Sequence, residues 1–140
     1  MEILAIIFHF PPISGGGVIV AVDLINNFAR LGHNVTVLAP DLEWSGPKYE
    51  PEIDSRVDVI KVEVPSKSKL KVAARLCKKY LQRKGEELGK QKKFDFIFTI
   101  FHPFHLAPSA AVSCAEKLNI PVIVKIDDAV FEKSRGIKFL

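Results

Sequence analysis

By type and spacing, the run Pro11-Pro12-Ile13-Ser14-Gly15-Gly16-Gly17, the histidines His102 and His105, and the pair Asp127-Asp128 are the residues best suited to do chemistry. Three successive glycines expose backbone N–H groups with no Cβ in the way, so a ligand can approach the main chain closely. If a helix begins there, its unpaired N–H groups and positive dipole end favour a phosphate or another anion. Imidazoles can donate to or accept from a ligand near neutral pH. A carboxylate such as Asp127 can accept hydrogen bonds from a ligand or stabilise a nearby positive charge. Each group also has a plainer use. The glycines can serve strand–helix packing, His102 can cap a loop, His105 can open a helix, and Asp127 and Asp128 can end a strand. The two histidines with the two aspartates form a possible metal set, but no further ligand is spaced for it on a rigid element, and no metal is expected.

Positioning these groups requires βα units. Apolar, β-branched runs predict strands at Ile3–Phe8, Asn34–Ala39, Val57–Val64, Phe94–Phe101 and Pro121–Ile126. The first, fourth and fifth are nearly continuous apolar runs, as expected of central strands covered on both faces. Helical periodicity predicts three helices. The first spans Val18 to Leu31 on the stripe Val18, Ala21, Val22, Ile25, Phe28 and Ala29, with Gly32 placed to end it. The second lies within Ser68–Lys90, where Gly85 and Gly89 are expected to end it early. The third runs from about Leu106 to Leu118, with Pro108 tolerable only in its first turn. Asp41–Asp54 is a loop on which Trp44 is either a packed lid or an exposed contact. The alternation predicts a doubly wound, Rossmann-like α/β fold: a parallel sheet of about five or more strands, helices on both faces, one domain over residues 1–140. With the order 3-2-1-4-5, the tips of the first, fourth and fifth strands meet. They bring His9 with the glycine loop, the segment His102-Pro103-Phe104-His105 and Asp127-Asp128 to one crevice.

Composition narrows the class. The chain is 48% hydrophobic, with no apolar run long enough to span a membrane, and its start reads as a buried strand rather than a leader. Cys77 and Cys114 lack metal or redox spacing, so reduced core thiols and a cytoplasmic setting are expected. The net charge of +4 is unevenly spread: residues 67–93 hold eleven Lys/Arg against Glu86 and Glu87. That helix is a solvated basic face or a docking surface for an anionic membrane. With Tyr80 its only aromatic, nucleic acid is not an expected partner.

Two nucleotide motifs are excluded. G-x-G-x-x-G read from Gly15 fails at Val20, and there is no G-x-x-x-x-G-K-[ST]. Asp41 after the second strand keeps a nucleotide-dependent oxidoreductase, or a stand-alone anion- or nucleotide-binding module, as alternatives. The order of motifs along nearly the whole chain decides the reading. Pro11-Pro12 before the glycines, then Leu31-Gly32-His33-Asn34-Val35-Thr36-Val37, resembles the amino-terminal half of group 1 retaining glycosyltransferases of the GT-B fold. Weaker matches are Val59-Ile60-Lys61-Val62 before Pro65, Asp95 to His102-Pro103, and Leu118-Asn119-Ile120-Pro121-Val122-Ile123-Val124.

The resemblance implies an acceptor-side domain whose missing carboxy-terminal partner binds the nucleotide-sugar donor. It also implies sugar transfer with retention to a sugar or lipid-linked acceptor, without a metal or cofactor. Gly15, Gly16, Gly17, His102 and Asp128 are then substrate-binding and Asp127 catalytic. The family's His-Asp pair after the fifth strand is Asp127-Asp128 here, so only Asp128 matches it. The fragment alone is expected to be inactive, and the whole enzyme to be cytoplasmic and peripheral at the inner membrane face.

Overall fold

The computed structural model describes residues 1–126. Its elements run β1 (Glu2–Ile6), α1 (Gly16–Arg30), β2 (Asn34–Pro40), β3 (Val57–Val62), α2 (Leu70–Gln91), β4 (Phe96–Phe101), α3 (Ala107–Leu118) and β5 (Val122–Ile126). The strands form one parallel sheet in the order β3-β2-β1-β4-β5, as the sequence predicts for a doubly wound, Rossmann-like fold.

Strand β1 is covered from both sides because its side chains alternate. Ile3, Ala5 and Ile7 pack with Val35, Val37 and Phe98 under Ala21, Val22 and Ile25 of α1. Leu4, Ile6 and Phe8 face the other way, onto Ala73, Cys77 and Leu81 of α2 and Ala107, Ala111 and Cys114 of α3. Helix α1 ends where Gly32 turns to φ +92°, its N–H bonded to the Ala29 carbonyl. Asn119, at φ +54°, ends α3 in the same left-handed way, and Pro108 falls in the first turn of that helix.

No helix joins β2 to β3. The connecting loop lies against the α1 side, where Tyr49 and Ile53 add to the core. A single buried side chain holds it. Asn26 of α1 donates from Nδ2 to the Glu52 carbonyl at 2.9 Å, and its Oδ1 accepts the Asp54 N–H at 2.9 Å. The buried amide of Asn26 is thereby paired through both its donor and its acceptor.

Two expectations change. The apolar fifth strand is not central: β5 is an edge of the described sheet, with Ile123 and Ile126 50% and 56% exposed. An apolar run shows that a strand tolerates burial, not that neighbours cover it. Helix α2 also does not end early at its glycines. It continues through Gly85 and Gly89 to Gln91 because α3 crosses there at close range. A Cβ at Gly85 would lie 2.8 Å from Cys114 Sγ, and one at Gly89 2.5 Å from Leu118 Cδ1.

The two glycine effects have opposite signs, which makes a test. Helix propensity alone favours alanine at position 85 by ~1 kcal/mol. Crowding against buried Cys114 opposes it by about 1–3 kcal/mol. Urea denaturation should therefore show Gly85→Ala to be less stable than the parent, and Gly85→Ala combined with Cys114→Ala should recover part of the loss.

Candidate active site

The site begins where β1 leaves the sheet. Buried Thr99 of β4 donates its hydroxyl to the Ile6 carbonyl at 2.7 Å, and the Ile7 N–H reaches the Leu38 carbonyl at 2.9 Å. The chain then turns away, with Phe10 and Ile13 as buried plugs. The loop between them and α1 is braced from two other elements. Lys61 Nζ of β3 donates to the Pro11 carbonyl at 2.7 Å, and the Tyr49 N–H donates to the Pro12 carbonyl at 2.9 Å.

The loop delivers the three glycines to the start of α1. Gly15, the residue before the helix, has φ 156° and ψ 157°, a backbone region open to glycine almost alone. Its carbonyl accepts the Val18 and Ile19 N–H groups. The amides of Gly16 and Gly17 belong to the first turn, where no intrahelical partner exists. No acidic side chain lies in that turn. A Cβ at Gly15, Gly16 or Gly17 would meet no heavy atom within 4 Å. Strand–helix packing therefore does not explain these glycines. Gly15 is explained by its backbone angle, while positions 16 and 17 are open to whatever comes from outside.

Opposite the glycines is a cluster of three imidazoles. His102, after β4, lies parallel to His105, with ring centroids 5.1 Å apart and planes 6° from parallel. His9, after β1, meets both rings edge-on at 5.9 and 5.6 Å. Phe8 closes the stack against the far side of His105 at 4.7 Å. His102 Nδ1 accepts the Phe104 N–H at 3.3 Å, which leaves its Nε2 as the protonated, donating nitrogen when the ring is neutral. His105 Nδ1 takes the Ala107 N–H at 3.4 Å, so it opens α3 as the sequence suggested. Burial pushes the His105 pKa down to about 3, helped by His9 and His102. Burial, and then His102, also lowers that of His9.

Glycine loop and histidines face one cleft of about 660 Å³. Its walls include Ser14, Gly15, Gly17, Val20, Trp44, Leu70, His9, His102 and His105. Among the described lining residues, the histidines alone can carry a formal charge. The cleft therefore presents backbone amides, one hydroxyl and imidazoles between apolar walls. Among the described residues, no group of three or more His, Cys, Asp or Glu could hold a metal ion.

Gly15, Gly17 and His102 thus share the crevice expected from topology, and Gly16 lies beside it without lining it. Asp127 and Asp128 lie outside the described residues. His9, at the tip of the first strand, lines the cleft with the glycine loop as the topology predicts, whereas Ser14 and Trp44 are lining residues that the sequence reading did not assign to the site.

The sequence model of Glycosyltransferase Family 4 matches residues 14–130. No curated protein sequence matches the chain. MurG of Acinetobacter baumannii superposes with a TM-score of 0.60 at 17% identity, over 92% of this chain and 35% of that one. Apo UGT2 of Phytolacca americana gives 0.57 at 16%, over 89% and 29%. The carboxy-terminal domain of a Pyrococcus furiosus hydrogenase gives 0.58 at 16%, over 89% of each. At these identities the likeness is one of fold, the Rossmann-like fold of GT-B domains. The chain spans about a third of MurG and of UGT2.

The buried imidazoles make stability depend on pH in a defined direction. A histidine with a folded pKa below its unfolded value of about 6.5 is protonated preferentially in the unfolded chain. Its contribution is whole above that value and is lost as pH falls toward about 3, the folded pKa of His105. At pH 5 the loss from His105 alone is about 2 kcal/mol. Urea titrations at pH 7.5 and 5 should show that loss. The slope should flatten in His105→Asn, which retains an acceptor for the Ala107 N–H and does not titrate.

Proposed function

Because the chain belongs to Glycosyltransferase Family 4, we propose that it is the acceptor-side half of an enzyme moving a sugar from a nucleotide-sugar donor to an acceptor hydroxyl with retention of configuration. One observation carries the reading: among the described residues, the cleft at the carboxyl ends of β1 and β4 is lined by a hydroxyl, imidazoles and backbone amides, beside a helix start with unpaired amides. Such a surface suits a polyhydroxylated acceptor on one side. The positive end of α1 suits the diphosphate that gains charge as the sugar departs. His102 Nε2–H can donate to a hydroxyl or phosphate oxygen entering the cleft. The donor-binding half lies in a further domain, and neither a metal nor a cofactor enters this reading.

The glycines separate stability from activity. Gly17→Ala should leave the fold intact or stabilise it by up to ~1 kcal/mol, since the new methyl meets nothing and helix propensity improves. In the enzyme that carries this domain, the same change should lower sugar transfer at least tenfold by blocking approach to the amides. Gly15→Ala should instead cost about 1–3 kcal/mol of stability through its backbone angle. Unaltered transfer by Gly17→Ala would overturn the reading of the loop as a substrate cradle.

The proposal extends to the outer face of α2. Arg75, Leu76, Lys78, Lys79, Tyr80, Arg83 and Leu106 line a shallow depression. Val72, Leu76 (43% exposed) and Leu106 stand exposed, as does Phe104, 79% exposed beside His102. Among the described residues, no helix is long and apolar enough to cross a membrane. Basic groups around exposed apolar side chains fit a peripheral contact with an anionic leaflet, each Lys or Arg contributing ~1 kcal/mol there. The acceptor is then lipid-linked, and the enzyme works in the cytoplasm at the inner membrane face. Co-sedimentation with anionic vesicles should exceed that with neutral ones and weaken with salt. It should fall at least tenfold when Arg75, Lys78, Lys79 and Arg83 are all replaced by Gln. Equal binding to both vesicle types would make this helix a solvated face.

A further inference from the structure

Trp44 is set into the helix-free loop between β2 and β3, and its indole is held from several directions. Its Nε1–H donates to the Pro47 carbonyl at 2.8 Å, so the ring's one polar group is already used. Gly46 lies directly against the ring: a Cβ there would come within 2.6 Å of Cζ2 and 2.8 Å of Cε2. The backbone is tied on both sides of this turn. The Glu43 N–H donates to the Lys67 carbonyl at 3.1 Å, and the Tyr49 N–H donates to the Pro12 carbonyl of the glycine loop. The indole is only half-buried and lines the cleft together with Ser14, Gly15, Leu70 and His102.

An aromatic ring whose N–H is satisfied by its own turn has only apolar, electron-rich ring surface left to offer. That surface repels an anion and attracts the weakly positive C–H groups of a saturated ring. Ser14 and the histidines supply hydrogen-bonding groups in the same cleft, where the hydroxyls of such a ring can reach them. Fixing the indole in advance removes the rotamer entropy that binding would otherwise cost. We propose that Trp44 is the aromatic platform of a sugar subsite, stacking on the C–H face of a pyranose in the acceptor. The inference rests on reading the cleft as the acceptor side of a glycosyltransferase.

The chain has one tryptophan, so its intrinsic emission reports this position alone. The chain is titrated with the methyl glycosides of glucose, galactose, mannose and N-acetylglucosamine, with glycerol, uridine and adenosine as controls. Saturation-transfer NMR on the same mixtures gives a readout independent of emission. At least one glycoside should produce a saturable emission change, and its ring C–H protons should receive saturation. Trp44→Leu should weaken that binding about tenfold, whereas Trp44→Phe retains part of it. Both variants should unfold at the parent's urea midpoint, because the side chain is partly exposed on a loop. Binding of nucleosides but no glycoside makes the platform a base-stacking site and overturns the proposal, as does the absence of any glycoside response or full affinity in Trp44→Leu. These outcomes are separate from the wider reading. Loss of transfer in Gly17→Ala can stand while Trp44 fails, and glycoside binding at Trp44 can stand while transfer proves insensitive to Gly17.

Discussion

Ile3, Leu4, Ala5 and Ile6 of β1 are wholly withdrawn from water, and the remaining elements are placed by the need to cover them from both sides. A strand buried on both faces needs neighbours on both edges for its backbone groups, and β2 and β4 supply them in register. It also needs a layer above and below. Helix α1 supplies one layer, while α2 and α3 supply the other. Covering one strand twice at about 25 cal/mol per Å² of apolar surface is a large stabilisation concentrated on few residues. Gly15 and the helix-free β2–β3 loop hang from the ends of this strand and its partner β2.

The chemistry follows from the same constraint. A strand that is apolar throughout cannot carry polar groups until it leaves the sheet, so the first one available is His9, immediately beyond the buried Phe8. On the neighbouring strand the equivalent exit is His102. The two exits adjoin because β1 and β4 pair, and the start of α3 brings His105 between them against Phe8. The apolar walls that position the rings also hold His9 and His105 neutral.

Much of this was legible in the residues. Periodicity located α1 and α3 to within two residues, and the strand order is the usual one of a doubly wound sheet, as expected. The Gly32-His33-x-Val35-x-Val37 element, the most specific part of the family resemblance, is an instruction for folding rather than for chemistry. Gly32 turns the chain out of α1 at the amino ends of the strands, opposite the cleft, and Val35 and Val37 enter the core as β2. Less legible were relations between distant positions. Nothing local to Gly85 announces Cys114, and Gly46 gives no sign that it makes room for Trp44. The stacking of His105 between Phe8 and His102 is likewise a property of three chain segments together. The apolar fifth strand misled in the other direction, since hydrophobicity does not record whether a neighbour is there.

The close α2–α3 contact joins the basic outer face of α2 to the segment that carries the cleft's histidines. Ala73, Ala74, Cys77 and Gly85 make the inner side of α2 small, which lets α3 approach and excludes charge from that side. The basic side chains are thereby gathered on the outside. The same approach lets the Leu106 N–H, one residue ahead of α3, donate to the Ala74 carbonyl at 3.1 Å. That hydrogen bond ties the segment His102–Leu106 to α2. Phe104 and Leu106 are exposed from this segment toward solvent, while His102 and His105 line the cleft.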